Sequence, residues 1–307
     1  MKVTVLTGGV GGAKLVLGLL RVLPAADVTA IVNTGDDFRH LGLHVSPDID
    51  TLLYTLSGKA NREQGWGRAD ESWSFLETLR DLGGPDWFQL GDRDLALHVL
   101  RTTRLANGDG LDAITADLAV RFGIGATILP MANALVATRL ETDEGLLDFQ
   151  HYFVARRCVP QVSRIRFDGA DTALPAPGVL AAIASADAVV IAPSNPFLSI
   201  DPLLAVPGIR SALALTKAPV VAVSPIIAGR AVKGPTAKLM EELGIRLANA
   251  SIAAHYADFI DGLVINQGDD APDGIAIAQT ATLMRDDDDK ARVAQAALDL
   301  ATSLSCQ

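Results

Sequence analysis

Short apolar runs rich in β-branched residues recur along the chain, each closed by a polar or glycine-containing turn. Residues 2–6 are the first, and such a compact run predicts a parallel strand buried on both faces. The turn Gly8-Gly9-Val10-Gly11-Gly12 follows at once. Residues 13–23 then place Leu15, Leu19, Leu20 and Leu23 at helical spacing before Pro24. A second strand spans Val28–Val32 and ends in Asn33-Thr34-Gly35. Strand, glycine turn, helix and strand make the opening of a Rossmann-like βαβ unit. Further strands are expected at 188–192, 220–223 and 263–265. Each runs into polar or Pro/Gly residues: Pro193-Ser194-Asn195-Pro196, Ser224-Pro225 and Asn266-Gln267-Gly268. Ligands of doubly wound sheets gather at these carboxyl ends, so distant segments can build one site.

The middle of the chain has another rhythm. Residues from about 50 to 122 read as a mostly helical insertion and contain Trp66, Trp73 and Trp87. Residues 135–140 and 146–151, separated by Asp143-Glu144-Gly145, predict an antiparallel hairpin. At the end, Asp286 to Asp289 precede a helix over 290–304 and are expected to cap its solvated amino terminus rather than bind metal. No linker or internal repeat divides residues 1–307. The expected fold is α/β: a single domain with a Rossmann-like three-layer αβα parallel-sheet core, carrying the helical insertion and the β-hairpin.

Composition narrows the class. Hydrophobic residues make up 49% of the 307, enough for a substantial core. The net charge of −10 argues against a general nucleic-acid partner, which needs clustered Lys and Arg. It does not oppose local binding of a diphosphate through backbone amides, a few cations and a metal ion. Cys158 and Cys306 form no C-x-x-C pair, so neither a disulfide framework nor a thiolate zinc site is expected. The chain enters its first strand without a signal-peptide pattern and lacks an apolar run of membrane-spanning length. A cytoplasmic protein without a membrane partner is the expectation.

Several segments carry candidate chemistry. The 8–12 turn lets backbone approach an anion at a helix N-terminus. Yet Lys14 stands where the last glycine of G-x-G-x-x-G would be, and Leu15 replaces the Ser or Thr of a Walker A motif. The turn alone therefore indicates an anion and no more, and a plain strand-to-helix turn is the competing reading. Asn33-Thr34-Gly35-Asp36-Asp37 sets an amide, a hydroxyl and two carboxylates at a strand end, or is an Asx-rich turn. Ser46-Pro47-Asp48-Ile49-Asp50-Thr51 opens an apolar helix. Either Ser46 or Asp48 caps that helix, or its two carboxylates bind Mg²⁺ or activate a hydroxyl. Gly91-Asp92-Arg93-Asp94 offers a guanidinium fork, or is a solvated ion-pair cluster. Ser194-Asn195-Pro196, Arg230, Lys233 and Gly234 supply donors and cations at predicted strand ends, or are ordinary polar loops. His40, His98 and His255 show no metal spacing and are read as structural.

Taken in order, these segments resemble the 2-phospho-lactate transferase (CofD) family, over 7–14, 33–37, 46–53, 90–96, 194–196 and 224–234. Pro47-Asp48-Ile49-Asp50-Thr51 and Gly91-Asp92-Arg93-Asp94-Leu95-Ala96 are the most specific pieces. The resemblance implies a Rossmann-like fold with an inserted lid-like region, a homodimer and dependence on Mg²⁺. It also implies the reaction: the terminal ribityl hydroxyl of the deazaflavin Fo attacks the phosphorus next to a small acid in a guanosine diphosphate conjugate, and GMP leaves. This would be a late step in making coenzyme F-420. The implied roles are Asp50 and Asp48 as catalytic residues, with Asp50 and Arg93 at Fo. Gly8, Gly9, Val10, Gly11, Gly12, Lys14, Ser194, Asn195 and Lys233 would hold the nucleotide. Asp36, Asp37, Asp48 and Asp50 would form the metal neighbourhood. Phospholactate, phosphoenolpyruvate and phosphoglycerate donors remain alternatives. So does a related nucleotide-sugar-binding regulator without catalysis, although its glycine- and serine-rich stretch after the second strand is replaced here by Phe38-Arg39-His40.

Overall fold

The computed structural model describes residues 1–231 and 234–306. The chain opens with β1 (Val3–Thr7), α1 (Gly9–Val22) and β2 (Val28–Val32). A short hairpin, β3 (Phe38–His40) and β4 (Leu43–Val45), leads to helices α2 (Pro47–Leu56), α3 (Ser74–Asp81), α4 (Asp92–Ala106) and α5 (Leu111–Arg121). Strand β5 (Thr127–Pro130) precedes an antiparallel group, β6 (Ala137–Thr142), β7 (Gly145–Asp148) and β8 (Val162–Asp168), with a π-helical turn at His151–Ala155. Next come α6 (Val179–Ala184), β9 (Ala188–Ile191), a second π-helical turn (Pro196–Ile200), α7 (Asp201–Ala205), α8 (Ile209–Leu215) and β10 (Val220–Val223). A two-residue pair, β11 (Ile226–Ile227) and β12 (Arg230–Ala231), is followed by α9 (Thr236–Glu242) and α10 (Asn249–His255). Strands β13 (Gly262–Asn266) and β14 (Ala276–Thr280) and helix α11 (Asp287–Ser305) complete the fold.

The main sheet is seven-stranded, in the order β14-β13-β10-β9-β1-β2-β5. Its pairings are parallel, with Val3 opposite both Val28 of β2 and Ala188 of β9. Strands β1, β9 and β10 are buried along their whole length, as expected of strands covered on both faces. One core layer joins Leu6, Ile31, Val189 and Ile191 to α6, α8 and the antiparallel group. The other joins Val3, Val5 and Val190 to α1, α2, α5 and α11. These two layers about one sheet are the three-layer αβα architecture the sequence predicts. Helix α11 is not solvated all round: Val293, Ala294 and Ala297 are fully buried, and Gly18 of α1 meets it so closely that a Cβ would lie 2.2 Å from the Lys290 carbonyl oxygen. Asp286 caps α11 by accepting from the Asp289 amide at 2.8 Å.

The chain leaves β1 toward β2 and β5 on one side, and continues through β9, β10, β13 and β14 on the other. The reversal lies between β1 and β9, so their carboxyl ends border the crevice in which such folds bind ligands. The structure corrects several boundaries. Helix α1 begins at Gly9 rather than near residue 13, because Gly11 and Gly12 pack tightly as its first turn. A Cβ on Gly12 would lie 2.1 Å from Thr7 Oγ1. The predicted hairpin is three-stranded, since β8 pairs along the far side of β6, and residue 151 lies in a π-helical turn rather than a strand. Within 50–122, segments 57–73 and 82–91 are largely irregular rather than helical.

Candidate active site

The carboxyl ends of β1 and β9 open into a cavity of about 1020 Å³. Gly8, Gly9, Val10 and Gly11 form one part of its wall, and Lys14 lies a turn further along α1. Gly12 packs beneath them. Ser194 ties the two strand ends together: its hydroxyl donates to the Gly8 carbonyl at 2.7 Å and accepts from the Gly8 amide at 3.3 Å. Asn195 caps the following turn, accepting from the Phe197 and Leu198 amides at 2.9 and 3.1 Å. Ser194 and Asn195 both line the cavity. Lys14 donates from Nζ to the Met284 carbonyl at 2.7 Å. Lys233 lies outside the described residues.

Four carboxylates, Asp36, Asp48, Asp50 and Asp94, share this lining. Asp48 sits against the glycine turn, where a side chain on Gly8 would come within 2.7 Å of its Oδ2. It accepts from Asn33 Nδ2 at 3.0 Å and from the Gly9 amide. An internal carboxylate thus takes one of the amides freed at the start of α1, while Val10 and Gly11, also in the first turn, have no intrahelical acceptor to satisfy them. Burial is the largest force on the Asp48 carboxyl and pushes it up to about 6; the Asn33 and Gly9 hydrogen bonds oppose that rise, and Asp37 and Asp50 add repulsion. Asp36 is held well above the usual carboxylate range by burial and then by Asp48, and its Oδ1 is buried without a hydrogen-bond partner.

Asp50 belongs to a different arrangement. It projects from α2 toward α4, where Arg101 donates to both its oxygens, Nη1 reaching Oδ2 at 3.1 Å and Nη2 bonding Oδ1. Arg101 is fully buried, yet Asp50 more than offsets the cost of burying its charge and strengthens its hold on the proton. His98 lies alongside, with Nδ1 3.3 Å from Arg101 Nη1 and Nε2 3.3 Å from Asp94 Oδ2. Tyr54 donates to Asp94 Oδ1 at 2.5 Å. Burial tends to raise the Asp94 carboxyl, but His98, Tyr54 and Arg101 together hold it below its ordinary value. Asp50, Asp94 and His98 bring one ligand atom each within 4.8 Å of one another.

Two expected site residues are placed elsewhere. Asp37 is outside the cavity lining, turned to accept from Ser46 Oγ at 2.7 Å and paired with His44 Nε2 at 3.0 Å. This also means that Ser46 does not cap α2 through its side chain. Arg93 is exposed and outside the lining, because consecutive helix residues point about 100° apart and its neighbour Asp94 takes the inward face. Arg93→Ala is therefore expected to leave the rate and apparent affinity of any substrate of this cavity within about twofold, as for ordinary surface substitutions. A tenfold loss in steady-state kinetics would return Arg93 to the site. Asp92 is a structural acceptor for Ser72, Ser74 and Phe75, bracing α3 against α4.

Sequence reasoning missed Tyr54, Asp94, His98 and Arg101 as a group, and read His98 as merely structural. The signal was present as helical spacing: Asp50 and Tyr54 are four apart on α2, and Asp94, His98 and Arg101 are four and three apart on α4. The aromatic wall is another addition. Trp66, Trp87, Phe88, Phe149 and Phe153 line the cavity. Trp87 stacks on His151 at 4.4 Å, and Phe149 stacks on Phe153 at 5.4 Å. The β3–β4 hairpin supports this wall, Phe38 meeting Phe88 edge-on at 4.8 Å and His40 meeting Trp87 at 5.3 Å. His255, by contrast, pairs with Asp201 at 2.7 Å and stays outside the cavity lining.

A glycine-rich helix start, clustered carboxylates and an aromatic wall thus meet in one cavity at the switch point of a parallel sheet, where α/β proteins of this class place their ligand sites. Residues 3–301 match the family model described as 2-phospho-L-lactate transferase CofD, and the chain belongs to that family. Among its relatives, the phosphoenolpyruvate transferase of Kitasatospora aureofaciens is 43% identical, with 98% of each chain covered. The protein of the same name from Streptomyces griseus is 44% identical, again over 98% of each. A UPF0052-family protein of Bacillus halodurans shares the fold at a TM-score of 0.65 and 20% identity, covering 97% of this chain and 100% of that one. Among the described residues, no single helix is long and apolar enough to cross a membrane.

Proposed function

We propose that this protein transfers a phosphoenolpyruvyl group from its guanosine diphosphate conjugate to the terminal ribityl hydroxyl of Fo, releasing GMP. The supporting observation is that one cavity carries both an amide-lined helix start and an aromatic wall, with four carboxylates in the same lining. The diphosphate is assigned to the first turn of α1 and to Ser194 and Asn195, where backbone donors meet negative charge without the cost of burying many cations. The flat tricycle is assigned to Trp87, Phe88, Phe149 and Phe153, which offer ring faces for stacking. Phosphoenolpyruvate is chosen as the transferred acid because it appears in the names of the similar proteins over nearly their whole length.

In the reaction the ribityl oxygen forms a bond to the phosphorus bearing the enolpyruvyl group. The bond from that phosphorus to the bridging oxygen breaks, GMP departs with the electron pair, and the hydroxyl proton passes to a carboxylate. Asp50 is assigned that carboxylate role, since Arg101 fixes its orientation and the residue lines the cavity. Transfers of this kind depend on positioning and charge neutralisation more than on covalent help from protein.

Asp36 and Asp48 fit a Mg²⁺ ion better than Asp50 does. Their buried charges repel one another and Asp36 Oδ1 has no partner, whereas Asp50 already has a permanent cation on both oxygens. Mg²⁺ commonly binds through one or two carboxylates together with substrate phosphates. Held by Asp36 and Asp48, it would supply charge neutralisation for the diphosphate. The test is an assay of purified protein with Mg²⁺, Fo and guanosine conjugates of phosphoenolpyruvate, phospholactate and phosphoglycerate, reading GMP and the Fo phosphodiester of the acid by mass. Transfer from the enolpyruvyl conjugate is expected. Transfer from another conjugate alone would overturn the choice of acid, and tight nucleotide retention with no transfer would favour a binding protein.

A further inference from the structure

The pairing of α2 with α4 carries an inference that rests on the transferase reading but goes past it. Arg101 lies behind the cavity, fully buried and absent from its lining, yet it touches two residues that do line it. Toward Asp50 it presents two nitrogens, one to each carboxylate oxygen. Toward His98 it presents Nη1, 3.3 Å from Nδ1. A guanidinium only donates, so His98 Nδ1 must be the accepting nitrogen. The neutral ring then carries its proton on Nε2, which lies 3.3 Å from Asp94 Oδ2. That contact is not aligned as a full hydrogen bond. Asp94 is fixed from its other side by the Tyr54 hydroxyl at 2.5 Å. One cation thus sets the rotamer of one carboxylate directly and the tautomer of the imidazole beside a second.

We propose that Arg101 is a positioning residue for the transfer, orienting Asp50 toward the acceptor hydroxyl and holding His98 as the Nε2–H tautomer that faces Asp94. It touches neither substrate. Its loss should therefore lower kcat while sparing both KM values, since a carboxylate displaced by about 1 Å can cost on the order of 10²-fold in rate. A residue that merely held the fold together would instead lower the amount of active protein and leave kcat per folded molecule unchanged.

Two measurements decide it. In ¹⁵N-histidine-labelled wild type, with the His98 signals assigned by His98→Asn, the Nε2–H tautomer is expected at neutral pH, and an Nδ1–H tautomer overturns the proposal. In kinetics corrected for folded fraction, Arg101→Met and Arg101→Lys are compared with wild type in the same assay. Lysine keeps a cation beside Asp50 but lacks the planar fork that engages both oxygens and the imidazole. Both variants are expected to lose about 10²-fold in kcat with each KM within threefold. If Arg101→Met does not fold, Arg101→Lys carries the comparison, and wild-type kcat in that variant overturns the proposal. Absence of turnover in wild type would count against the transferase reading instead, and the tautomer would still test the geometry.

Discussion

Asparagine at position 50 is expected to lower turnover by about 10²–10⁴-fold, the usual contribution of a positioned proton acceptor. The same change should also destabilise the protein, because it strips the charge partner from a guanidinium that is fully buried. Breaking a buried pair from one side costs about 3–5 kcal/mol, much of it the penalty of the charge left behind. Part of that stability should therefore return in the double variant Asp50→Asn/Arg101→Met, where neither charge is buried, while turnover stays lost. Urea unfolding of the two single variants and the double variant gives the coupling directly. Near-wild-type kcat in Asp50→Asn would remove Asp50 from the chemistry. Additive unfolding energies would show that the pair contributes no more than its separate parts.

The core of the fold was legible because its strands are buried on both faces and so appear as unbroken apolar runs. The strand over Val28–Val32 and the one over Val220–Val223 were read with their observed limits. Apart from the β6–β7 hairpin, strands that lack that environment were not read. Strand β14 is a sheet edge whose Ala276–Thr280 run is only partly buried, and β8 places Arg164 and Arg166 among its apolar residues. Strand β5 is four residues long and closes on Pro130, which resembles a turn more than a strand.

Of the expected site, the pieces following β1 and β9 do come together, and Asp36, Asp48 and Asp50 share their cavity. These residues follow strand ends or open a helix beside them, so topology alone brings them to one place. Arg93 and Asp37 lie outside that lining for a simpler reason: a motif names neighbouring residues, while a helix or turn sends neighbours in different directions. The residues that were missed depend on packing between distant elements. Arg101 looks like any helical arginine until α4 is laid against α2, and Trp87 needs His40 and His151 to become part of a wall. Burial of a charge is a tertiary property, and no periodicity within one segment announces it.

The pH dependence of stability should distinguish the two carboxylate groups. Asp48 has its pKa pushed from an ordinary 3.8 to about 6 by burial. A raised carboxyl means that the folded state binds more protons than the unfolded state between those values, so stability falls as pH rises through that window. Below about 4 both states are protonated and nothing is lost; above about 6 the loss is complete, at roughly 3 kcal/mol for a shift of this size. Asp36 is shifted in the same direction by burial and by Asp48. Asp48→Asn should therefore match wild type near pH 4 and exceed it in stability at pH 7.5, by up to about 3 kcal/mol in metal-free buffer. If Mg²⁺ binds at Asp36 and Asp48, adding it should raise the wild-type melting temperature at pH 7.5, have little effect near pH 4.5, and do much less for the variant. The opposite order, with Asp48→Asn less stable at pH 7.5 and unchanged by Mg²⁺ relative to wild type, would mean that the Asn33 and Gly9 hydrogen bonds outweigh the burial cost. The diphosphate would then have to be neutralised elsewhere in the cavity.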